Sequence, residues 1–232
     1  MTDFNLICLT IVSISAMHTF SGPDHYLPFI VLSRSKKWRL SKTIFWTCLC
    51  GFAHVLSSVV LGILGIFLGV TVSKIFHIET IRGGFAAWLL LIFGVVYIFY
   101  AFYKLRKNKI HKHFNVSEEG DIYVFEHQHG QSVLPKKNYK VTPWVMFFIF
   151  ALGPSEPLIP LIIYPYINYS FIEIGILITL YTFTTVFMML SLVLLGFYGS
   201  KLINYQGFEK HIDLISGLAI TICGIGMVFL EW

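Results

Sequence analysis

Long apolar runs alternate with short polar ones along the chain. Six runs stand out, at 4–32, 43–70, 84–103, 142–166, 171–198 and 212–230. Each is close to or above the ~20 apolar residues that a helix needs to cross a hydrocarbon core about 30 Å thick. The first and fourth are interrupted by prolines and ionisable residues. The pattern therefore predicts an all-α integral membrane protein of six transmembrane helices, with helices 1 and 4 broken.

Composition agrees with that pattern. Hydrophobic residues make up 56% of the 232 positions and charged residues only 12%, with a mean hydropathy of +0.74. A soluble domain carries roughly 25% charged residues, so this chain has too few to cover a water-facing surface. Aromatic residues, at 17%, suit interfacial belts. Asp3 is the only charge before the first apolar run, with no basic segment or small-residue cleavage site, which predicts an uncleaved first span. Cys8, Cys48, Cys50 and Cys223 all fall inside predicted spans and read as buried thiols, not a disulfide framework.

The basic residues set an orientation. Arg34, Lys36, Lys37, Arg39 and Lys42 cluster in one loop. Lys104, Arg106, Lys107, Lys109, Lys112, Lys136, Lys137 and Lys140 occupy a second, and Lys201 and Lys210 a third. Only Lys74 and Arg82 fall on the other side, 2 of the 17 basic residues against 15. The positive-inside rule then places loops 33–42, 104–141 and 199–211 in the cytoplasm and both termini outside, as in a multi-pass protein of a prokaryotic inner or plasma membrane. The net charge of +5 is thus accounted for by topology, and no nucleic-acid partner is implied.

Two segments of the chain resemble each other. Residues 22–30 read Gly-Pro-Asp-His-Tyr-Leu-Pro-Phe-Ile, and residues 153–161 read Gly-Pro-Ser-Glu-Pro-Leu-Ile-Pro-Leu. His54 stands 32 residues after Gly22, within Phe-Ala-His-Val-Leu, and Thr185 stands 32 residues after Gly153, within Phe-Thr-Thr-Val-Phe. Equal spacing from two anchors predicts a duplicated three-helix unit, and an odd number of spans per unit makes the two halves inverted. The predicted organisation is a first repeat over 1–103, a His-containing cytoplasmic loop over 104–141 and a second repeat over 142–232. Pro23 and Pro154 each lack an N–H and release the carbonyl four residues back, on Thr19 and Phe150. Matching broken helices in inverted repeats are a pattern of secondary transporters, with the site near the midplane.

The chemistry-bearing residues gather at these breaks. They are His18, Asp24 and His25 on span 1, His54 on span 2, and Ser155 and Glu156 on span 4. An ionisable residue inside the membrane is costly and marks a functional site by default. In an unbroken helix His18 and His25 would lie about 10 Å apart along the axis, so only a fold at Gly22-Pro23 lets them converge. Imidazole with carboxylate is a ligand set for first-row divalent metals. Plainer uses exist for each residue. His54 alone can hydrogen-bond between helices, Asp24 can pair with His25 as a structural or proton-relay couple, and Glu156 can be protonated. In the central loop, His111, His113, His127 and His129 can bind metal or can belong to a solvated linker.

His18-Thr-Phe-Ser-Gly-Pro-Asp24-His25 resembles the His-x4-Asp-His signature of the nickel–cobalt transporters, with five residues here in place of four. The stretch Gly51-Phe-Ala-His54 resembles the Gly-His element on a later helix of that family. The six-span plan and the His-containing loop are similar to its exporter branch. They are similar also to the wider superfamily of urease-accessory-type, sulfite-exporter-type and LysE-type membrane proteins. The resemblance implies that His18, Asp24, His25 and His54 select the metal. Ser155, Glu156 and Thr185 have no counterpart in the signature and rest on the internal repeat, as transport or proton-coupling residues.

The expectation is a secondary transporter of a divalent transition-metal ion of the nickel or cobalt type, not an enzyme. The metal would be cargo, with no tightly bound cofactor, and the partners are the lipid bilayer and a small ion or solute. Two alternatives stay open at this point. One is a proton-coupled transporter of a small anion or organic solute, and the other is an intramembrane metal-binding accessory protein or metalloenzyme. Thiol–disulfide electron carriers of the same superfamily need a cysteine on spans 1 and 4, and span 4 has none. No phosphate-binding loop of the Gly-x4-Gly-Lys-Ser/Thr type is present, so ATP-driven transport by this chain alone is not expected.

Overall fold

Small residues at helical spacing mark the inward face of several of the long helices. The computed structural model describes residues 3–107, 111–116, 122–127, 141–154, 157–161, 169–202 and 211–230. The chain runs through α1 (Asp3–Ser21), a 3-10 turn (Pro23–His25), α2 (Leu27–Ser35), α3 (Leu40–Phe67) and α4 (Val72–Lys107). A hairpin of β1 (His111–Val116) and β2 (Ile122–His127) follows. The second half holds α5 (Val141–Leu152), a helical turn at 158–161, α6 (Phe171–Leu202) and α7 (Ile212–Phe229).

Among the described residues, 5 helices are long and apolar enough to cross a membrane: α1, α3, α4, α6 and α7. They mark the chain as a multi-pass membrane protein. Large apolar side chains such as Leu9, Phe20, Phe52, Ile92, Phe183 and Leu195 point outward, as lipid-facing residues do. α5 has only 12 residues and ends at the Gly153-Pro154 break.

In α3 the buried stripe runs Thr43, Thr47, Gly51, Val55, Ser58, Gly62 and Gly65, with His54 on the same face. Small residues let helix backbones approach closely where lipid offers no hydrophobic driving force between helices. The same device joins α4 to α7 in the most extensive interface of the bundle. A Cβ on Gly94 would come within 2.6 Å of the Thr221 backbone, and one on Gly224 within 2.6 Å of the Leu91 backbone. On α1 the inward stripe is Ile11, Ser15 and Thr19. The hydroxyls of Ser15 and Thr19 bond back to the carbonyls of Val12 and Ser15, so they carry no unmet donor into the core.

The helices pair reciprocally. α1 packs on α6 while α3 packs on α5, and α3 also meets α6. α2 lies against both α6 and α7.

Two sequence-based boundaries shift. The third apolar helix, predicted over 84–103, starts at Val72, so Lys74 and Arg82 are helical and not loop residues. The ion pair of Glu79 with Arg82, at 2.7 Å, neutralises the charges that made this stretch read as polar. The predicted 104–141 loop holds the antiparallel hairpin, in which His111 stands opposite His127 and His113 opposite Phe125.

Candidate functional site

Both helix breaks place a glycine against a histidine ring. At the first, α1 ends at Ser21, Gly22 is extended at φ −92°, and Pro23 starts the 3-10 turn that carries Asp24 and His25. Gly22 is required there for space, because a Cβ would stand 2.5 Å from His25 Nδ1. The fold-back brings the His18 and His25 ring centroids to 4.9 Å. At the second break, a Cβ on Gly153 would stand 3.1 Å from Nδ1 of His54. His54 projects from the middle of α3 and completes the cluster, with its ring 5.1 Å from that of His25.

One ligand nitrogen from each of His18, His25 and His54 lies within 4.8 Å of the other two. It is the one such group of three or more metal-ligating side chains among the described residues. His25 and His54 are buried. Nε2 of all three rings is buried and has no hydrogen-bond partner among the described residues. The opposite nitrogens of two rings are committed. His25 Nδ1 donates to the Gly22 carbonyl at 3.1 Å, and His54 Nδ1 donates to the Phe150 carbonyl at 3.3 Å. A carbonyl can only accept, so both rings carry their proton on Nδ1 and, when neutral, present a bare lone pair on Nε2. Fixing the far nitrogen in this way is the usual support of a metal-binding imidazole.

Asp24 approaches His25 through the same Nδ1, its Oδ1 at 3.3 Å, and does not join the three converging nitrogens. It still lines the cavity of about 360 Å³ onto which the histidines open. Leu90 of α4, Ile149 and Phe150 of α5 and Met227 of α7 supply the apolar wall. Three imidazoles, a nearby carboxylate and apolar walls can exchange the hydration shell of a divalent cation for nitrogen ligands. A tetrahedral centre with metal–nitrogen bonds of 2.0–2.1 Å sets its nitrogens about 3.4 Å apart, so the widest-spaced rings would have to draw together on an ion.

Other predicted site residues lie elsewhere. Thr185 is fully buried on α6 and is not among the residues lining this cavity. Ser155, Glu156 and His129 fall outside the described residues. His111, His113 and His127 sit on the hairpin strands.

Sequence reasoning missed Arg82 and Glu79. Arg82 donates to Ser58 Oγ at 2.5 Å and to the Gly153 carbonyl at 3.2 Å, and pairs with Glu79, which is 1% exposed. Gly83 beside it leaves room for the Pro154 ring, whose Cγ would be 2.6 Å from a Cβ there. The signal was Glu79-x-x-Arg82 at i,i+3 spacing just before Gly83-Gly84, a helical pairing on the flank of an apolar run.

Compared with known proteins, the chain matches no family model, no curated protein and no solved structure.

Proposed function

We propose that this chain is a secondary transporter that carries a divalent transition-metal ion across the membrane through the His18–His25–His54 cluster. The carrying observation is the convergence of one ring nitrogen from each of three histidines, on a cavity between membrane-length helices. Imidazole nitrogen suits nickel, cobalt and zinc, and three protein ligands leave coordination positions open for water, so the ion can be released as well as held. Asp24 balances the charge of the cation and orients His25, in the way of a carboxylate behind a metal-binding imidazole.

In this reading the chain has six spans, the interrupted 142–166 segment being the fourth, arranged as two inverted three-helix repeats. The reciprocal packing of α1 on α6 and α3 on α5 supports it, as does the pairing of α4 with α7, which would be equivalent helices. A two-fold relation between repeats requires those pairs. Both breaks then meet at the cluster, one through the Gly22 carbonyl and one through that of Phe150. Ser155 and Glu156, beside the second break, would supply charge balance or a proton path.

A second reading has a specific observation behind it. Three nitrogens, two of them on rings locked through Nδ1, also suit a tightly held metal, as in an intramembrane metal-binding accessory protein or metalloenzyme. Flux of nickel, cobalt or zinc into proteoliposomes, wild type against His54→Ala, separates the two. Metal flux lost in His54→Ala supports transport. Stoichiometric bound metal without flux supports the accessory reading, and flux unchanged in His54→Ala contradicts both.

A further inference from the structure

A second cavity, of about 510 Å³, opens at the other end of α4. Lys36, Lys37, Lys42 and Lys104 line it, with Tyr100 and one acid, Asp213. Lys104 is 14 residues beyond Leu90 on α4, about 21 Å from the histidine cavity along the helix axis. The two sites are separate, and the lysine cavity can be understood without the transport reading.

The single acid is already committed. Asp213 Oδ2 binds Lys104, and its Oδ1 accepts from the Ser35 hydroxyl at 2.5 Å and the Tyr97 hydroxyl at 3.4 Å. Neither Lys36 nor Lys37 forms an ion pair among the described residues. The Lys36 ammonium instead stands over the Tyr97 and Tyr100 rings, 4.8 and 4.9 Å from their centroids. Burial pushes Lys36 below the ordinary lysine range, with the Asp213 carboxylate opposing that shift and Lys104 adding to it. Such a site is short of negative charge.

The backbone gives an independent sign. α2 ends in a Schellman turn, with Trp38 N–H donating to the Ser33 carbonyl and Lys37 N–H to that of Arg34. Lys37 therefore occupies the left-handed position at φ 49°, which glycine takes without strain. Strain of this kind persists where a side chain has work to do. Here the side chain brought to the cavity is an ammonium.

We propose that this lysine-lined cavity binds a phosphate-bearing anion, with Lys36 and Lys37 as its principal contacts and Lys104, held by Asp213, as a fixed third charge. Lysine meets phosphate as a mobile point charge, and basic pockets between helix ends at a membrane surface take phospholipid headgroups. A soluble phosphate presents the same oxygens. The test distinguishes the two sources.

Thermal unfolding of the purified full chain in detergent is followed against dioctanoyl phosphatidylglycerol, inorganic phosphate, zwitterionic dioctanoyl phosphatidylcholine and sodium chloride at matched ionic strength. A rise in Tm with phosphatidylglycerol or phosphate, beyond that given by the two controls, is expected. If phosphatidylglycerol acts at about tenfold lower concentration than phosphate, the ligand is a lipid headgroup; comparable potency assigns a soluble anion. Lys36→Gln should raise the concentration needed about tenfold, as loss of one charge-assisted contact does. Lys37→Gly removes the ammonium and relieves the left-handed strain, so it should fold at least as well as wild type and yet lose the response to a similar extent. No anion-specific shift in the wild type, or a full response in both variants, overturns the proposal.

Discussion

His54 Nδ1 donates to the backbone carbonyl of Phe150, 96 positions away in sequence, at 3.3 Å. Phe150 stands four residues before Pro154, which has no N–H to give it, so that carbonyl takes a backbone bond from Gly153 N–H at 3.0 Å and accepts the imidazole as well. A break in one helix thereby fixes the tautomer of a histidine on another. Gly22 does the same for His25 within a single turn. Each carbonyl already accepts one backbone N–H, from His25 and from Gly153, and orients an imidazole with its remaining acceptor capacity.

The role of Gly22 is steric, which makes it testable. A methyl group there would collide with His25 Nδ1 at 2.5 Å, so Gly22→Ala displaces the ring from its carbonyl partner. We expect nickel or zinc affinity to fall about tenfold or more, the range seen when support behind a metal-binding histidine is lost. Gly84→Ala, whose Cβ meets open space, is the control and should bind normally. Titration of the two variants in detergent checks this, and equal affinities would count against the steric role.

Metal binding should weaken as pH falls. The three imidazoles ligate only when neutral, so protons compete with the metal for the same nitrogens. Affinity measured by calorimetry is expected to be higher at pH ~7.5 than at pH ~5.5, with protons released on binding. An affinity that does not change between those conditions would count against proton competition at the cluster.

The Glu79–Arg82 pair predicts an asymmetry between single and double variants. Removing Arg82 alone takes away the cation paired with a buried carboxylate, a loss of about 3–5 kcal/mol for a fully buried pair. Arg82 retains some exposure, so the lower end of that range applies. Glu79→Gln with Arg82→Met removes both charges and should cost less than Arg82→Met alone. Unfolding midpoints of the wild type, the two single variants and the double variant settle the matter, and additive losses would show that the pair is not coupled.

Close packing of α4 on α7 leaves no room at Gly94 or Gly224. Gly94→Val should destabilise the bundle by about 1–3 kcal/mol or prevent assembly, as overpacking does. Gly175→Ala, with nothing within 4 Å of its Cβ, should be nearly neutral. Size-exclusion profiles and unfolding midpoints provide the comparison, and a neutral Gly94→Val would contradict the interface.

Much of this architecture was legible because membrane helices announce themselves by length and apolarity. α1, α3, α6 and α7 fall within a few residues of the apolar runs that predicted them, although the first run extended beyond the break at Gly22. The start of α4 did not, because Lys74, Glu79 and Arg82 lower the hydropathy of a segment that is nonetheless helical. Charge reads as loop until its partner is known, and the partner here is one helical turn away. At the site, Gly22-Pro23 drew attention to His18 and His25, since a break is visible in the local sequence. Which ring nitrogen is held by a hydrogen bond was not visible, because it depends on carbonyls that only the fold supplies. The pairing of Lys104 with Asp213 spans 109 positions and has no local signature at all.

Whether His18, His25 and His54 hold one metal ion together is decided by X-ray absorption at the zinc edge, with the metal-loaded protein compared against His54→Ala. A shell containing three imidazoles at about 2.0–2.1 Å is expected in the wild type, with a reduced histidine contribution in the variant. A wild-type shell without imidazole scattering, or one left unchanged by His54→Ala, would refute the three-histidine centre.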